Sequence, residues 1–522
     1  MDTRRNTLTE HLEIPGILET FRNDRLFVTV YSGVGLLLFI ATSLGYPVTT
    51  GADFSSYLEY YYKASPEFML FRTAGSSWPI GMISEHGYNF FSFCVILLYL
   101  IFLGAVYYAS QILGPTLGRV VSVVILLHFS LTARFHAVDA DTILTLGIAL
   151  WMALVVRLFR NRSLTASMTL GLASFVLVTI KPSTLLFGMF ALYPLLCHGL
   201  SWSNARRALM FLAAFVSGAI GLSSYNYYHY NAFVVAGQSN IMFPAASLFR
   251  NTHIYARENG PASRELFDLV QTRLIDTQLY KDHHIDIKTF FSRWDPRTWG
   301  DFGSLDDLRP GIIRQASIEA IIAHPTKFLT WSILFPGYQI LVATYPLDNP
   351  MRITSTEEKS ATTENKAKAL TTNYTSTPES NEYYRWRHRT QEEIERSSKI
   401  TQKINSIYNK LHKSYDYNES IHLYPAYIIF SFLARIVPPM LFFVATSLLL
   451  FRKWHSESAR LLLLTSFIAL TVVSASSILE VLPRYRIPFD FILILSGIAG
   501  IAHIGLFRQP TDRAILPGSE DR

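Results

Sequence analysis

Long apolar stretches recur along the chain and are separated by short polar turns. Each stretch approaches the roughly 17 to 25 apolar residues with which a helix crosses a hydrocarbon core about 30 Å thick. These stretches are residues 26–45, 90–108, 117–133, 142–158, 165–180, 182–200, 208–228, 425–451, 461–479 and 487–507. The pattern predicts an all-α polytopic membrane protein with about ten transmembrane helices and excludes a soluble enzyme.

A polar segment of mixed character, residues 229–423, interrupts this series. It separates a first transmembrane module, residues 26–228, from a second, residues 424–507. Residues 325–345 within the polar segment are long enough to cross a membrane, but they carry Lys327 and a Pro-Gly pair. Because such residues disfavour the hydrocarbon core, we predict that this stretch lies at the membrane interface.

Two further parts of the polar segment have distinct patterns. Residues 354–381 are rich in Thr, Ser, Glu, Lys and Asn and show no apolar period, which predicts a mobile loop. Residues 391–412 carry isoleucines and a leucine at spacings of three to six. This spacing predicts an amphipathic helix that could lie on the domain or on the membrane.

Basic residues indicate which side of the membrane each loop occupies. They precede the first apolar stretch and recur in alternate turns, at Arg4, Arg5, Arg22, Arg25, Arg119, Arg157, Arg160, Arg162, Arg206 and Arg207. Because cytoplasmic loops carry an excess of Lys and Arg, residues 1–25 and the tail 508–522 are predicted to be cytoplasmic. Residues 46–88, called the first loop below, and residues 229–423 are then extracytoplasmic. The length and polar start of the first stretch argue against a cleaved signal peptide.

Composition supports this picture. The 522 residues are 50% apolar and only 16% charged, and mean hydropathy is +0.23 even though the polar segment dilutes it. The net charge of +7 is explained by cytoplasmic anchoring, so nucleic acid is not an expected partner. Cys94 and Cys197 lie inside apolar runs and cannot form a disulfide framework, so we interpret them as inert packing residues.

Charged residues cluster at the predicted outer ends of the apolar stretches, where ionisable groups are costly enough to suggest a role. The first loop holds Asp53 and Arg72. Asp53 can act as a base near the membrane interface, or it can cap a short helix that begins after it. Glu85 closes the same loop and reads as a solvated residue at the loop end.

A second cluster lies in residues 133–142, called the hinge, between two apolar stretches. It contains Asp139 and Asp141, which can face a common cation if the backbone is extended. Capping of the following helix is the alternative for Asp141. Arg134 of the hinge is predicted to anchor the chain at the membrane interface, and contact with a phosphate is its alternative.

Two further basic sites lie on the predicted outer side. Lys181 stands where the chain reverses between two apolar stretches, and snorkelling to the interface is its alternative role. Arg484 and Arg486 stand between the last two stretches, against the positive-inside trend. Their guanidinium groups suit a lipid phosphate or pyrophosphate, whereas internal pairing with Glu480 or Asp490 is the alternative.

Taken in order, these landmarks resemble the GT-C superfamily of polytopic glycosyltransferases that use polyprenyl-phosphate sugars, the group of protein O-mannosyltransferases and lipid A aminoarabinose transferases. The matching motifs are Gly51-Ala-Asp-Phe-Ser-Ser-Tyr57, Asp141-Thr-Ile-Leu-Thr-Leu-Gly-Ile-Ala-Leu150, Val178-Thr-Ile-Lys-Pro-Ser183 and Arg484-Tyr-Arg-Ile-Pro488. The resemblance covers residues 26–200 and 461–507. One departure is Phe54, which follows Asp53 where members of the superfamily often have a second acidic residue.

The resemblance implies transfer of a sugar from a polyprenyl-phosphate donor to a hydroxyl of a glycan, lipid or protein, at the extracytoplasmic side and with inversion. Asp53 would be the base. The basic residues that would stabilise the departing phosphate are Arg72, Lys181, Arg484 and Arg486. A divalent cation, Mg or Mn, held by Asp139 or Asp141 would assist them.

The sequence also allows two other classes of function. A polysaccharide polymerase or ligase would share the many spans and the external arginines but would tolerate loss of Asp53. A flippase or other transporter of lipid-linked sugars would more often show internal repeats and helices broken near the membrane midplane. No repeat is visible in the sequence, although Pro438 and Pro439 could break one span.

Overall fold

The structure is a computed structural model, and it describes the greater part of the chain. The described residues are 16–45, 47–51, 54–63, 72–159, 161–230, 233–236, 253–277, 280–281, 286–292, 305, 309, 311–342, 391–412, 442, 445–446, 456–479 and 486–502. The mobile loop predicted at residues 354–381 lies outside them, as do Asp53, Glu480 and Arg484.

Helices dominate the described residues. In the first module they are α1 (Ile17–Asn23), α2 (Arg25–Gly45), α3 (Phe54–Tyr61), α4 (Ala74–Ser84), α5 (Tyr88–Ser110), α6 (Pro115–Leu126), α7 (Phe129–His136), α8 (Ala140–Leu158), α9 (Leu164–Ile180), α10 (Tyr193–His198) and α11 (Trp202–Tyr230). The later helices are α12 (Pro261–Val270), α13 (Ile287–Ser292), α14 (Ile312–Ala323), α15 (Pro325–Val342), α16 (Gln391–Leu411), α17 (Glu457–Leu479) and α18 (Ile487–Ile501). Shorter helical turns cover Gln111–Leu113, Pro182–Leu192, Arg257–Asn259 and Gln271–Ile275. The strands described are β1 (Thr49–Thr50) and β2 (Ala137–Val138).

Several of these helices are long and apolar enough to cross a membrane. The five that qualify by length and composition are Arg25–Leu44, Tyr88–Leu113, Ala140–Leu158, Trp202–His229 and Glu457–Ser476. The helical, membrane-embedded character predicted from the sequence is therefore confirmed. The count of ten spans stays a prediction, because the described helices supply five candidates, or up to six if one bent pair is a single span.

Two predicted spans are not straight α-helices. The stretch 117–133 is divided between α6 and α7, which are bent by 55° at a break near His128. The stretch 182–200 forms a 3₁₀ helix over Pro182–Leu192 and then α10. Apolar periodicity does not distinguish these conformations from a regular helix, so neither break is predicted by the apolar pattern.

Loops that are distant in the sequence make two separate sets of contacts. Glu457 at the start of α17 pairs with Arg162, at 2.9 Å, and with His198, at 3.3 Å. Arg162 lies in a turn that is predicted to be cytoplasmic, and His198 lies near the end of the predicted span 182–200. Thr50 of the first loop instead contacts His412 after α16, with 3.1 Å between Oγ1 and Nδ1, and both are predicted to be extracytoplasmic. The side of the membrane on which each group lies stays a prediction.

The polar segment contains a small helical core of its own. Its buried residues include Leu266, Val270, Ile312 and Ile313 of α12 and α14. Glu319 joins these helices, because its carboxylate accepts hydrogen bonds from backbone N–H groups at the start of α12. Farther along, α15 packs against α17. The interfacial location predicted for residues 325–345 stays a prediction.

The predicted amphipathic helix at residues 391–412 is present as α16. Its apolar face, with Ile404 and Leu411 almost fully buried, joins the large core formed by the transmembrane module. The helix α16 therefore packs against other parts of the protein, among them the first-loop helix α3.

Candidate functional site

The first loop and the hinge are joined by a short parallel ladder. Thr49 pairs with Ala137 and Thr50 with Val138, and the Gly51 N–H donates to the Val138 carbonyl at 2.8 Å. These bonds satisfy backbone groups that would otherwise be buried without partners. The ladder fixes the start of the first loop against the start of α8.

Asp139 caps α8 and binds a buried arginine. One carboxylate oxygen accepts hydrogen bonds from the N–H groups of Asp141, at 2.8 Å, and Thr142, at 3.2 Å. The same oxygen pairs with Arg134, and both side chains are almost fully buried. The other oxygen, Oδ2, has no hydrogen-bond partner within the described part of the chain.

These contacts correct two predictions about the hinge. The residue that caps α8 is Asp139 rather than Asp141, because the side chain of Asp139 reaches the N–H groups of the first helical turn. Arg134 is not an interface anchor, since its side chain is 0% exposed and neutralises Asp139. A positively charged side chain is needed beside Asp139 because a buried carboxylate without an opposite charge is costly.

Gly51 allows the first loop to approach Asp139 closely. A Cβ atom added at Gly51 would lie 2.9 Å from Asp139 Oδ2 and 2.8 Å from the Ala137 carbonyl oxygen. Such contacts are too short for any larger residue, so glycine is required here. Asp53, the predicted base, follows Gly51 by two positions in the sequence and itself lies outside the described residues.

Lys181 and Asp141 form an ion pair between the end of α9 and the first turn of α8. The Asp141 side chain is 5% exposed and that of Lys181 is 20% exposed. Lys181 is therefore held by a carboxylate instead of simply extending to the membrane interface. Its partial exposure leaves room for a second anionic partner.

The start of α4 brings Arg72 to the same region. Thr73 contacts the Ile180 carbonyl at 3.4 Å, one residue before Lys181. A Cβ atom added at Gly75 would lie 2.3 Å from Thr179 Oγ1, so the backbones of α4 and α9 are in close contact here. Two basic residues predicted to bind phosphate thus lie at the adjoining ends of α4 and α9.

Arg72 is oriented by two residues of α3. Its Nε donates to Ser56 Oγ at 2.7 Å, and its guanidinium carbon lies 4.7 Å from the centre of the Tyr57 ring. Stacking on an aromatic face leaves the remaining N–H donors of an arginine in a fixed plane. This geometry suits recognition of a phosphate.

Arg486 is placed differently from the other predicted phosphate ligands. It is 1% exposed, and its Nε lies 3.0 Å from Asp490 Oδ1. His128 approaches the same carboxylate, with Nε2 3.3 Å from Oδ2. The alternative of internal pairing with Asp490 is therefore the arrangement observed for Arg486. Phosphate binding by Arg484 stays a prediction.

The helix α16 packs against the first-loop helix α3. Tyr408 lies 6.4 Å from Phe54 between ring centres, and Lys403 lies 3.7 Å from Glu85. Glu85 also accepts a hydrogen bond from Tyr62 at 2.8 Å. The interpretation of Glu85 as merely solvated is thus incomplete, because it connects the end of α3, the end of α4 and α16.

Glu59 is a candidate functional residue that the sequence analysis missed. Its Oε2 atom is buried and has no hydrogen-bond partner among the described residues. Burial raises the pKa of Glu59 to about 7, although the positive charge of Arg72 acts in the opposite direction. A carboxyl group that titrates near neutral pH beside a cation is typical of functional sites. The sequence signal was a lone acidic residue within a run of tyrosines.

The titration of Glu59 leads to a prediction about stability. The Glu59 carboxyl binds its proton more tightly in the folded protein than in the unfolded chain. Protonation of Glu59 therefore contributes fully to the free energy of unfolding below about pH 4.5, and this contribution is lost as the pH rises through about 7. A shift of this size corresponds to roughly 3 kcal/mol. The apparent Tm of the detergent-solubilised protein should therefore fall more between about pH 5 and pH 8 than that of Glu59→Gln. Parallel pH curves for the two proteins would contradict the burial of this carboxyl.

A metal site is not evident in the part of the chain that the structure describes. It contains no group of three or more histidine, cysteine, aspartate or glutamate side chains able to hold a metal ion. Asp139 and Asp141 each face a basic side chain instead. A divalent cation at these aspartates stays a prediction from the resemblance, and the chemistry proposed for the site does not depend on it.

Comparison with known proteins adds no assignment, since no family model, no curated protein and no solved structure matches this chain.

Proposed function

We propose that the protein is an inverting membrane glycosyltransferase that moves a sugar from a polyprenyl-phosphate donor to a hydroxyl of a glycan, lipid or protein on the extracytoplasmic side. The observation that carries this proposal is the convergence of the first loop with the hinge. Arg72 before α4 and Lys181 after α9, two basic groups suited to a phosphate, thereby lie near the acidic start of α8. The ordered resemblance to the GT-C superfamily supports the same reaction class.

In the proposed reaction, the acceptor hydroxyl oxygen forms a bond to the anomeric carbon of the sugar. The bond between that carbon and the phosphate oxygen breaks, and its electron pair leaves with the lipid phosphate. The hydroxyl proton passes to the carboxylate of Asp53, which acts as general base. Arg72 and Lys181 stabilise the negative charge that develops on the departing phosphate.

The buried ion pairs of the hinge have a supporting role in this proposal. Asp139 and Arg134 fix the start of α8, and Asp141 holds Lys181 in place. Preorganised charges stabilise a transition state more effectively than side chains that must first become ordered. Arg486 is engaged with Asp490 in the observed state, so binding of donor phosphate by Arg486 would require that pair to rearrange.

A lipid-linked sugar transporter is the second candidate, and one observation favours it. The break between α6 and α7 lies beside His128, which contacts Asp490 inside the transmembrane module. Broken helices and ionisable residues within the membrane are frequent at the substrate sites of transporters. Such a protein would move the lipid-linked sugar across the membrane without cleaving the bond to phosphate.

Activity in detergent separates the two candidates. Purified protein should convert a radiolabelled polyprenyl-phosphate sugar and a hydroxyl acceptor into a glycosylated product and free polyprenyl phosphate. A transporter has no compartments to connect in detergent and would leave the donor intact. Failure to release polyprenyl phosphate across a panel of donor sugars and acceptors would contradict the proposed transfer.

Lys181 provides a more local test of the phosphate site. A charged hydrogen bond is worth about 1.5–3 kcal/mol, so Lys181→Ala should weaken donor binding by roughly 10-fold or more. The measurement is the Kd for polyprenyl monophosphate in detergent. Asp141→Asn serves as the control, because it removes the ion pair but keeps the ammonium group. Equal donor affinity for the wild type and Lys181→Ala would limit Lys181 to a structural role.

A further inference from the structure

One oxygen of the Glu59 carboxyl group has no structural partner in the described part of the chain. Within the described residues its Oε2 atom is buried without a hydrogen-bond partner, whereas buried polar atoms nearly always have one. An unsatisfied buried carboxyl destabilises the fold, and this cost favours a functional role for Glu59. The partner that this oxygen lacks in the observed state can be supplied by a bound ligand.

The surroundings of Glu59 indicate what that ligand is. Glu59 lies three residues after Ser56 on α3, so the two side chains occupy the same face of the helix. Ser56 is the hydrogen-bond acceptor for Arg72, and the charge of Arg72 acts on the Glu59 carboxyl. A negatively charged ligand that contacts the guanidinium of Arg72 would therefore also act on the charge of the Glu59 carboxyl.

Other titratable groups around α3 are engaged elsewhere. Glu85, at the end of α4, accepts hydrogen bonds from Tyr61 and Tyr62 and lies near Lys403 of α16. His412, after α16, contacts Thr50. Among the charged groups of these packed elements, Arg72 is the one whose charge affects Glu59.

We propose that Glu59, in its protonated form, donates a proton to the departing lipid phosphate that Arg72 binds. This inference rests on the proposed glycosyl transfer. As the bond between the anomeric carbon and the phosphate oxygen breaks, the electron pair stays on the phosphate. The proton on the Glu59 carboxyl moves to a phosphate oxygen, which leaves a polyprenyl phosphate monoanion and a Glu59 carboxylate beside Arg72. Water then returns a proton to Glu59, while Asp53 releases the proton that it took from the acceptor.

The Glu59 carboxyl and the departing lipid phosphate have similar pKa values. The second pKa of a phosphate monoester is about 6, and burial raises the pKa of Glu59 to about 7. Proton transfer between groups of similar pKa is nearly balanced, and an acid with a pKa close to the working pH is the most useful one. Because the protonated form is the active one, turnover should fall as the pH rises through about 7.

Turnover of polyprenyl-phosphate sugar by full-length protein in detergent tests this role. Glu59→Gln should lower turnover by about 10-fold or more and remove the decline at alkaline pH, because the amide keeps the shape but holds no acidic proton. Glu258→Gln, at an exposed glutamate of the polar segment, is the matched control and should behave as the wild type. A Glu59→Gln protein with wild-type turnover and an unchanged pH profile would overturn the inference.

A binding measurement separates this inference from the proposed function. The carboxylic acid band that is present in infrared spectra of the wild type and absent from Glu59→Gln reports the titration of Glu59. Adding polyprenyl monophosphate should move the midpoint of that titration upward, because a nearby negative charge disfavours the carboxylate. An unchanged midpoint with bound polyprenyl monophosphate would overturn the role of Glu59 even if transfer is observed. Absence of transfer by the wild type would instead refute the proposed function.

Discussion

Replacement of Asp53 by asparagine should abolish sugar transfer while leaving the protein folded. The amide keeps the shape of the carboxylate but cannot accept the proton of the acceptor hydroxyl. General bases contribute at least about 100-fold to such reactions, so turnover should fall by that factor or more. The measurement is the initial rate of polyprenyl phosphate release in detergent.

The control for this experiment is Asp268→Asn. Asp268 lies in the polar segment, where it pairs with Arg257 at 2.7 Å and both side chains are more than half exposed. This variant should retain wild-type turnover. Near-normal turnover of Asp53→Asn would transfer the role of base to another carboxylate near the first loop, such as Asp139, Asp141 or Glu85, or would refute a base mechanism.

Loss of the Asp139 carboxylate should have the largest effect on stability. Asp139→Ala removes the cap of α8 and leaves the buried guanidinium of Arg134 without its carboxylate partner. Breaking a buried ion pair by removal of one member costs about 3–5 kcal/mol. The variant should show a strongly lowered apparent Tm, and its yield in detergent should fall.

Asp268→Ala is the matched control for stability, because its exposed ion pair with Arg257 contributes at most about 1 kcal/mol. Replacing both members of the buried pair, as in Arg134→Met with Asp139→Leu, should recover part of the lost stability, since no charge is then left unpaired. Equal losses for Asp139→Ala and Asp268→Ala would contradict the buried contact between Asp139 and Arg134.

The sequence predicted the helical, membrane-embedded architecture because apolar length is a local property of the chain. The bounds of α2, α5, α8 and α17 agree with the apolar stretches to within a few residues. The bend near His128 was not predicted, because hydropathy records neither backbone geometry nor the contact between His128 and Asp490.

The candidate site was predicted in part. The sequence singled out Lys181 and Asp141, but it treated them separately, since their ion pair joins residues 40 positions apart. It offered capping of α8 as an alternative role for Asp141, whereas the observed cap is Asp139, because either residue fits the local preference. Glu59 was missed because its raised pKa results from burial under neighbouring elements, and burial of a loop residue cannot be deduced from a single sequence.

The most direct test of the proposed site is an experimental structure of the protein with a bound polyprenyl-phosphate sugar. The phosphate should lie within about 4 Å, the distance of an ion pair, of the side chains of Arg72 or Lys181, with the sugar facing the first loop. A phosphate bound instead near Arg162 and Glu457, at the opposite ends of the transmembrane helices, would contradict the assignment of the first loop and hinge as the site of transfer.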